Sequence, residues 1–220
     1  MTTARARSVH AVVAVVAWVA VVLQLVLVVK GTVILVDDDP PGLAARIYRF
    51  FAYFTIQSNL LVAITSTALA REPALDRPVW RVVRLAGLVG ITVTGLVHFV
   101  LLRPLLDLHG ADWIADKLLH VAVPLLAVAA WAAVGPRPRI TAREAAYALC
   151  WPVVWLVWTL VVGQVGGWVP YPFLDAGAEG WGAVALVSVG VTVLFLLLFA
   201  AYARLDRRLR ATPEGLRVPR

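Results

Sequence analysis

Long apolar stretches separated by short polar interruptions make up most of the chain. None shows the two-residue alternation of a half-buried strand, nor the ten-residue alternating segments of a membrane barrel, so each reads as helix. Six of them approach the roughly 20 residues needed to cross about 30 Å of hydrocarbon at 1.5 Å per residue. They cover residues 10–29, 50–70, 82–102, 117–134, 145–163 and 181–202. Backbone in lipid must satisfy its own hydrogen bonds, which also favours helices. The predicted fold is therefore all-α: one domain over residues 1–220, an integral membrane bundle of six transmembrane helices. The first stretch follows Arg5 and Arg7 as a signal peptide would, but it exceeds the usual hydrophobic core of such a peptide and is predicted to be retained.

Composition agrees with the pattern. Apolar residues make up 61% and charged residues 15% of the chain, whereas soluble domains have roughly 45–50% and 25%. The formal net charge of +7 comes from 20 Lys and Arg against 13 Asp and Glu. Of the basic residues, Lys30, Arg46, Arg49, Arg103 and Lys117 fall on one side of the predicted spans and all others on the opposite side. The positive-inside rule then predicts that both termini are cytoplasmic, in a cell membrane. The arginines flank spans and belong to no groove-reading motif, which argues against nucleic acid and for contact with anionic lipid. Cys150 stands alone, so no disulfide framework or thiolate metal site is expected. VDDDPPGLAA, residues 36–45, reads as an outer turn.

Against this background the polar residues inside the spans stand out. FTIQSN, residues 54–59, places Thr55, Ser58 and Asn59 on one side of a helix, about five residues, or 7–8 Å, below its outer end. Thr94 and His98 lie near the outer end of the third span. Asp116 and His120 share a face at the start of the fourth, and Gln164, Tyr171 and Asp175 follow the fifth. Polar groups in lipid are costly unless paired or lining a cavity. Several at one depth predict a pocket facing the outer leaflet.

Three chemistries compete for this layer. The first is structural: Thr and Ser can bond back to the preceding turn, and Asn can join helices, in a non-enzymatic protein whose polar layer packs the bundle or binds lipid. The second is a metal or heme. His98, His120, Asp116 and Asp112 offer zinc ligands, but no HExxH or paired-histidine spacing supports them. No metal and no cofactor is expected. The third is nucleophilic catalysis, with Thr55 activated by His120, Asp116 orienting the imidazole, and Asn59, Ser58 or Gln164 donating to an oxyanion. No GxSxG elbow or SxxK pair occurs.

Three segments, FTIQSNLL (54–61), LLHVAVPLL (118–126) and GGWVPYPFLD (166–175), resemble the androgen-induced and androgen-dependent multi-pass membrane proteins and small bacterial six-span relatives. The resemblance runs in the same order across roughly residues 45–205. It implies a threonine hydrolase of fatty acid esters of hydroxy fatty acids, with Thr55 as nucleophile and His120 in the later span. On this reading Tyr171, Pro172, Phe173 and Asp175 lie at the substrate entrance. The partner is a membrane lipid or lipid-like ester, with no nucleic acid and no obligate protein partner.

Overall fold

The computed structural model describes residues 3–31, 41–137 and 139–209. Residues 36–40 of the acidic turn at 36–45 lie outside them, as do Arg210, Arg217 and Arg220. Among the described residues the chain is all helix, with no strand. The elements are α1 (Thr3–Lys30), α2 (Leu43–Ala52), α3 (Phe54–Arg71), α4 (Pro78–Val97), α5 (Gly110–Lys117), α6 (Val123–Val134), α7 (Ala142–Gly166) and α8 (Ala176–Arg208). α4 runs on through a wide π-turn, His98–Leu102, and α5 joins α6 through a second, Leu118–Ala122. Five helical stretches are long and apolar enough to cross a membrane, or six if α2 and α3 count as one broken span.

That break corrects the expected continuous second span at 50–70. The chain bends by 68° between α2 and α3, because Tyr53 is extended (φ −65°, ψ 128°). No proline or glycine causes it. Instead, α2 carries Arg46 and Arg49 among apolar residues, whereas α3 is largely buried. One axis cannot serve both an interfacial and a buried helix. The groups freed by the break find partners: Trp155 Nε1 donates to Ala52 O (2.9 Å) and Gln57 Nε2 to Phe51 O (3.0 Å). Such pairing is what backbone groups away from water require. Thr55 is therefore the second residue of a helix rather than one buried well below its end.

α4 sits at the centre, packed on α3, α6, α7 and α8. Close approach depends on small residues. A Cβ on Gly87 would lie 3.1 Å from the Leu61 side chain of α3, and one on Gly95 would lie 3.2 Å from His120 O. These contacts lie within one bundle. One apolar cluster joins α4, α7 and α8 through Val89, Ala148, Phe195 and Phe199. Another joins α1, α3 and α6 through Ala17, Ala20, Ala63 and Val123. α7 and α8 each pack on α4 more closely than on one another.

The wide turn at 118–122 has a local cause. Pro124 lacks an N–H, and its ring opposes the carbonyl of His120 four residues earlier. The turn widens, and Val123 N donates to Leu118 O. Gly95 provides the room that the His120 carbonyl then needs.

At the end of the bundle away from the candidate site, Asp206 of α8 is fully buried and its Oδ2 accepts from the backbone N–H groups of Arg139 and Ile140. Arg84 donates to Gly135 O (2.9 Å) and Pro136 O (3.1 Å). These bonds fasten the α6–α7 connection to α4 and α8. Removing a buried acceptor leaves its donors unsatisfied. Asp206→Ala should lose about 3 kcal/mol of stability, and thermal unfolding in detergent should show a Tm lower by roughly 6–12 °C. Asp76, between α3 and α4, is paired with Arg81 and Arg139. The Arg81 hydrogen bond holds its carboxyl below the usual range. Its contribution to stability is therefore present above the ordinary carboxylate pKa and lost as pH falls through the lowered one.

Candidate active site

The break at Tyr53 delivers the start of α3 to a junction of four elements. With no side-chain cap, the first amides of α3 need acceptors from elsewhere. Tyr171, from the α7–α8 connection, supplies one: Thr55 N donates to Tyr171 Oη at 3.1 Å. The same hydroxyl lies 3.2 Å from Thr55 Oγ1. An oxygen that accepts the amide proton can turn its own proton toward Thr55 or a ligand. Burial pushes the Tyr171 hydroxyl above its ordinary pKa, so it is a neutral donor.

Thr55 Oγ1 also lies 3.3 Å from His120 Nε2. On the other side of that ring, Nδ1 lies 3.1 Å from Asp116 O and 2.9 Å from Asp116 Oδ1. Both neighbours are acceptors only. In the neutral ring the proton is therefore on Nδ1, and Nε2 presents its lone pair to the threonine hydroxyl. Lys117 Nζ balances the carboxylate at 2.7 Å from Oδ2. The helical spacing of Asp116 and His120 puts them on one face, and the wide turn carries His120 toward α3.

His98 completes the group. Its ring stacks on that of His120, with centroids 3.9 Å apart and 11° between planes. Its Nε2 is 2.8 Å from Asp116 Oδ1. The donor atoms of His98, Asp116 and His120 lie within 4.8 Å of one another and are the described residues best able to hold a metal ion. Ligands around tetrahedral zinc sit about 3.3 Å apart, given Zn–N and Zn–O bonds near 2.0–2.1 Å. The 2.8 and 2.9 Å separations are shorter, as in a carboxylate contacting imidazoles directly.

The remaining candidates have other roles. Asn59 Nδ2 donates to Thr55 O (2.8 Å) and Leu119 O (3.3 Å), so it joins α3 to the His120 helix and is not a free oxyanion donor. Ser58 is fully buried and bonded to Thr55 O (3.0 Å) and Thr94 Oγ1 (2.8 Å). Gln164 is exposed on the last turn of α7 and lines neither cavity at the site. Tyr171 is buried within the site rather than placed at its lip, and Phe173 stacks on it with centroids 5.3 Å apart. Asp175 caps α8, accepting from Gly177 N (2.9 Å) and Ala178 N (3.2 Å), and lines the vestibule. The contact of the Tyr171 hydroxyl with Thr55 is the feature the sequence did not predict. A lone tyrosine between Pro170 and Pro172 was the available signal.

Two open spaces meet here. A vestibule is lined by Arg46, Arg49, Asp112, Asp116, His120 and Trp168. A cavity between α4, α7 and α8 has mostly apolar walls. Thr55, His98, Leu102 and Tyr171 line both. Compared with protein-family models, curated proteins and solved structures, the chain matches none.

Proposed function

We propose that this protein is an intramembrane hydrolase of lipid esters, in a cell membrane with both termini cytoplasmic and the site toward the outer leaflet. The observation that carries this reading is the run Thr55 Oγ1–His120 Nε2 (3.3 Å) and His120 Nδ1–Asp116 Oδ1 (2.9 Å). It has the nucleophile, base and orienting carboxylate of a hydrolytic triad, beside a neutral donor. The basic residues flanking the spans support the orientation. The three resembling segments contribute Thr55, His120 and Tyr171.

In this mechanism Thr55 Oγ1 attacks the ester carbonyl as its proton passes to His120 Nε2. The carbonyl oxygen becomes an oxyanion that takes a hydrogen bond from Tyr171. Collapse breaks the ester C–O bond, and His120 returns the proton to the leaving alcohol. A water from the vestibule attacks the acyl-threonine, with His120 again taking and returning the proton. The fatty acid is released and Thr55 regenerated. No cofactor takes part.

Tyr171→Phe keeps the ring packing but removes the donor. Loss of one oxyanion donor costs about 10²–10³ in kcat, which steady-state ester hydrolysis would measure. The test of the function is labelling of the purified protein with an alkyl fluorophosphonate, followed by peptide mass spectrometry. Modification at Thr55 supports the reading. Modification elsewhere, or none, with active control hydrolases labelled in parallel, overturns it.

The structural alternative has specific support at Ser58, Asn59 and Thr94, whose polar atoms bond to one another or to backbone carbonyls of α3 and the His120 helix. We assign those three residues to holding the bundle together.

A further inference from the structure

We propose that the apolar cavity between α4, α7 and α8 holds the acyl chain of the ester, and that Phe195 at its inner end sets the length of chain accepted, on the order of eight to eleven carbons. The proposal rests on the Thr55 reading and adds the substrate class to it.

The cavity is continuous with the reacting atoms, since Thr55 and Tyr171 line it. An ester placed with its carbonyl between these residues has two ways out. Toward the vestibule it meets Arg46, Asp112 and Asp175 set among apolar residues such as Phe50 and Leu106, a more polar wall than the cavity's. Toward the cavity it meets Val97, Leu156, Val187 and Val191. Apolar surface is favourably buried against apolar walls, so the acyl chain belongs in the cavity. The alcohol and the attacking water belong in the vestibule.

The lining residues measure the cavity. It runs from Val93 to Leu102 on α4, from Leu149 to Leu156 on α7 and from Val187 to Phe195 on α8. At 1.5 Å per residue these stretches are about 13, 10 and 12 Å long. An extended chain with C–C bonds near 1.5 Å advances about 1.25 Å per carbon, which gives the stated length. α7 and α8 run in opposite directions, yet their innermost lining residues, Leu149 and Phe195, close the same end. Phe195 is buried there, with its ring centroid 6.0 Å from that of Phe54. The side wall is more open. Val153 of α7 and Thr192 of α8 line the cavity and are also exposed, marking a gap through which a chain can enter from the hydrocarbon.

The test is the acyl-chain profile of hydrolysis, using p-nitrophenyl esters from acetate to palmitate at fixed detergent concentration. Wild type should rise by up to roughly fourfold per added methylene, peak between octanoate and undecanoate, and fall at least about tenfold by palmitate as the chain outgrows the cavity. Phe195→Ala should move the peak to longer chains. Val191→Phe, about 6 Å along α8 from Val187, should move it to hexanoate or shorter, and it covers the case in which Phe195→Ala fails to fold. A rate that declines steadily from acetate, or an unshifted peak in a folded Val191→Phe protein, overturns the proposal.

Thermal stabilisation of the Thr55→Ala protein by decanoic acid separates the subsite from the chemistry. Stabilisation that Val191→Phe abolishes supports the subsite even if no ester is turned over, in which case the Thr55 reading alone fails. Ester turnover with no decanoate stabilisation overturns the subsite and leaves the Thr55 reading standing.

Discussion

Thr55→Ala should reduce ester hydrolysis by about 10⁴-fold or more, the scale on which removing the nucleophile of a triad acts. The substitution deletes a hydroxyl and a methyl from a residue only 7% exposed. It leaves the Thr55 N–Tyr171 bond that closes the start of α3. The fold should survive, and Tm measured beside the rate would show it. Thr55→Ser restores a hydroxyl and should recover most of the lost rate. If Thr55→Ala hydrolyses the best wild-type ester at an undiminished rate, the threonine is structural and the mechanism fails.

The second large effect is expected at His120. His120→Ala removes the group that takes and returns the proton, and turnover should fall by about 10⁴-fold, since members of a catalytic unit are grossly non-additive. The double variant with Thr55→Ala should be scarcely slower than either single one. Asp116 should behave differently. In a triad whose carboxylate alone fixes the imidazole tautomer, changing that residue to the amide costs about 10⁴. Here the backbone carbonyl of Asp116 also accepts from His120 Nδ1, and Asp116→Asn leaves that carbonyl in place. We expect a loss on the order of 10²-fold, because the ring keeps its tautomer and loses only the charge that steadies the imidazolium. Measuring the three variants on one ester separates the two contributions, and a larger loss for Asp116→Asn than for His120→Ala would contradict the account.

Much of this arrangement was legible in the sequence because membrane helices obey simple length and cost rules. Apolar length located helices at all six expected places, and the cost of polar groups in oil pointed to Thr55, His98, Asp116 and His120, which do meet. What escaped was decided by contacts between distant residues. Tyr171 and Thr55 are 116 positions apart, and nothing in either neighbourhood says which hydroxyl will close the start of α3. The break at Tyr53 carries no proline or glycine. Its only local trace is the change from an arginine-bearing amphipathic stretch to a buried one. The sequence left Asn59 and Ser58 open to two readings, oxyanion donor or bundle glue, and in the structure each bonds to a nearer carbonyl. Gln164 is on the last turn of α7 but is exposed there and lines neither space at the site, and position along a span is all that a span pattern conveys.

The wide turn between α5 and α6 has a geometric consequence for how the chain tolerates change. It holds one residue more than a regular turn, and each residue of an α-helix accounts for about 100° of rotation. The turn therefore works as a phase shifter, letting α6 keep Val123, Ala127 and Ala130 packed with α1 while Asp116 and His120 stay toward Thr55. Deleting Val121 from the turn would swing the two halves out of phase by about that angle, parting the imidazole from the hydroxyl although His120 and Asp116 were still present. Chain length in this stretch is thus as strict a requirement as the identity of the side chains.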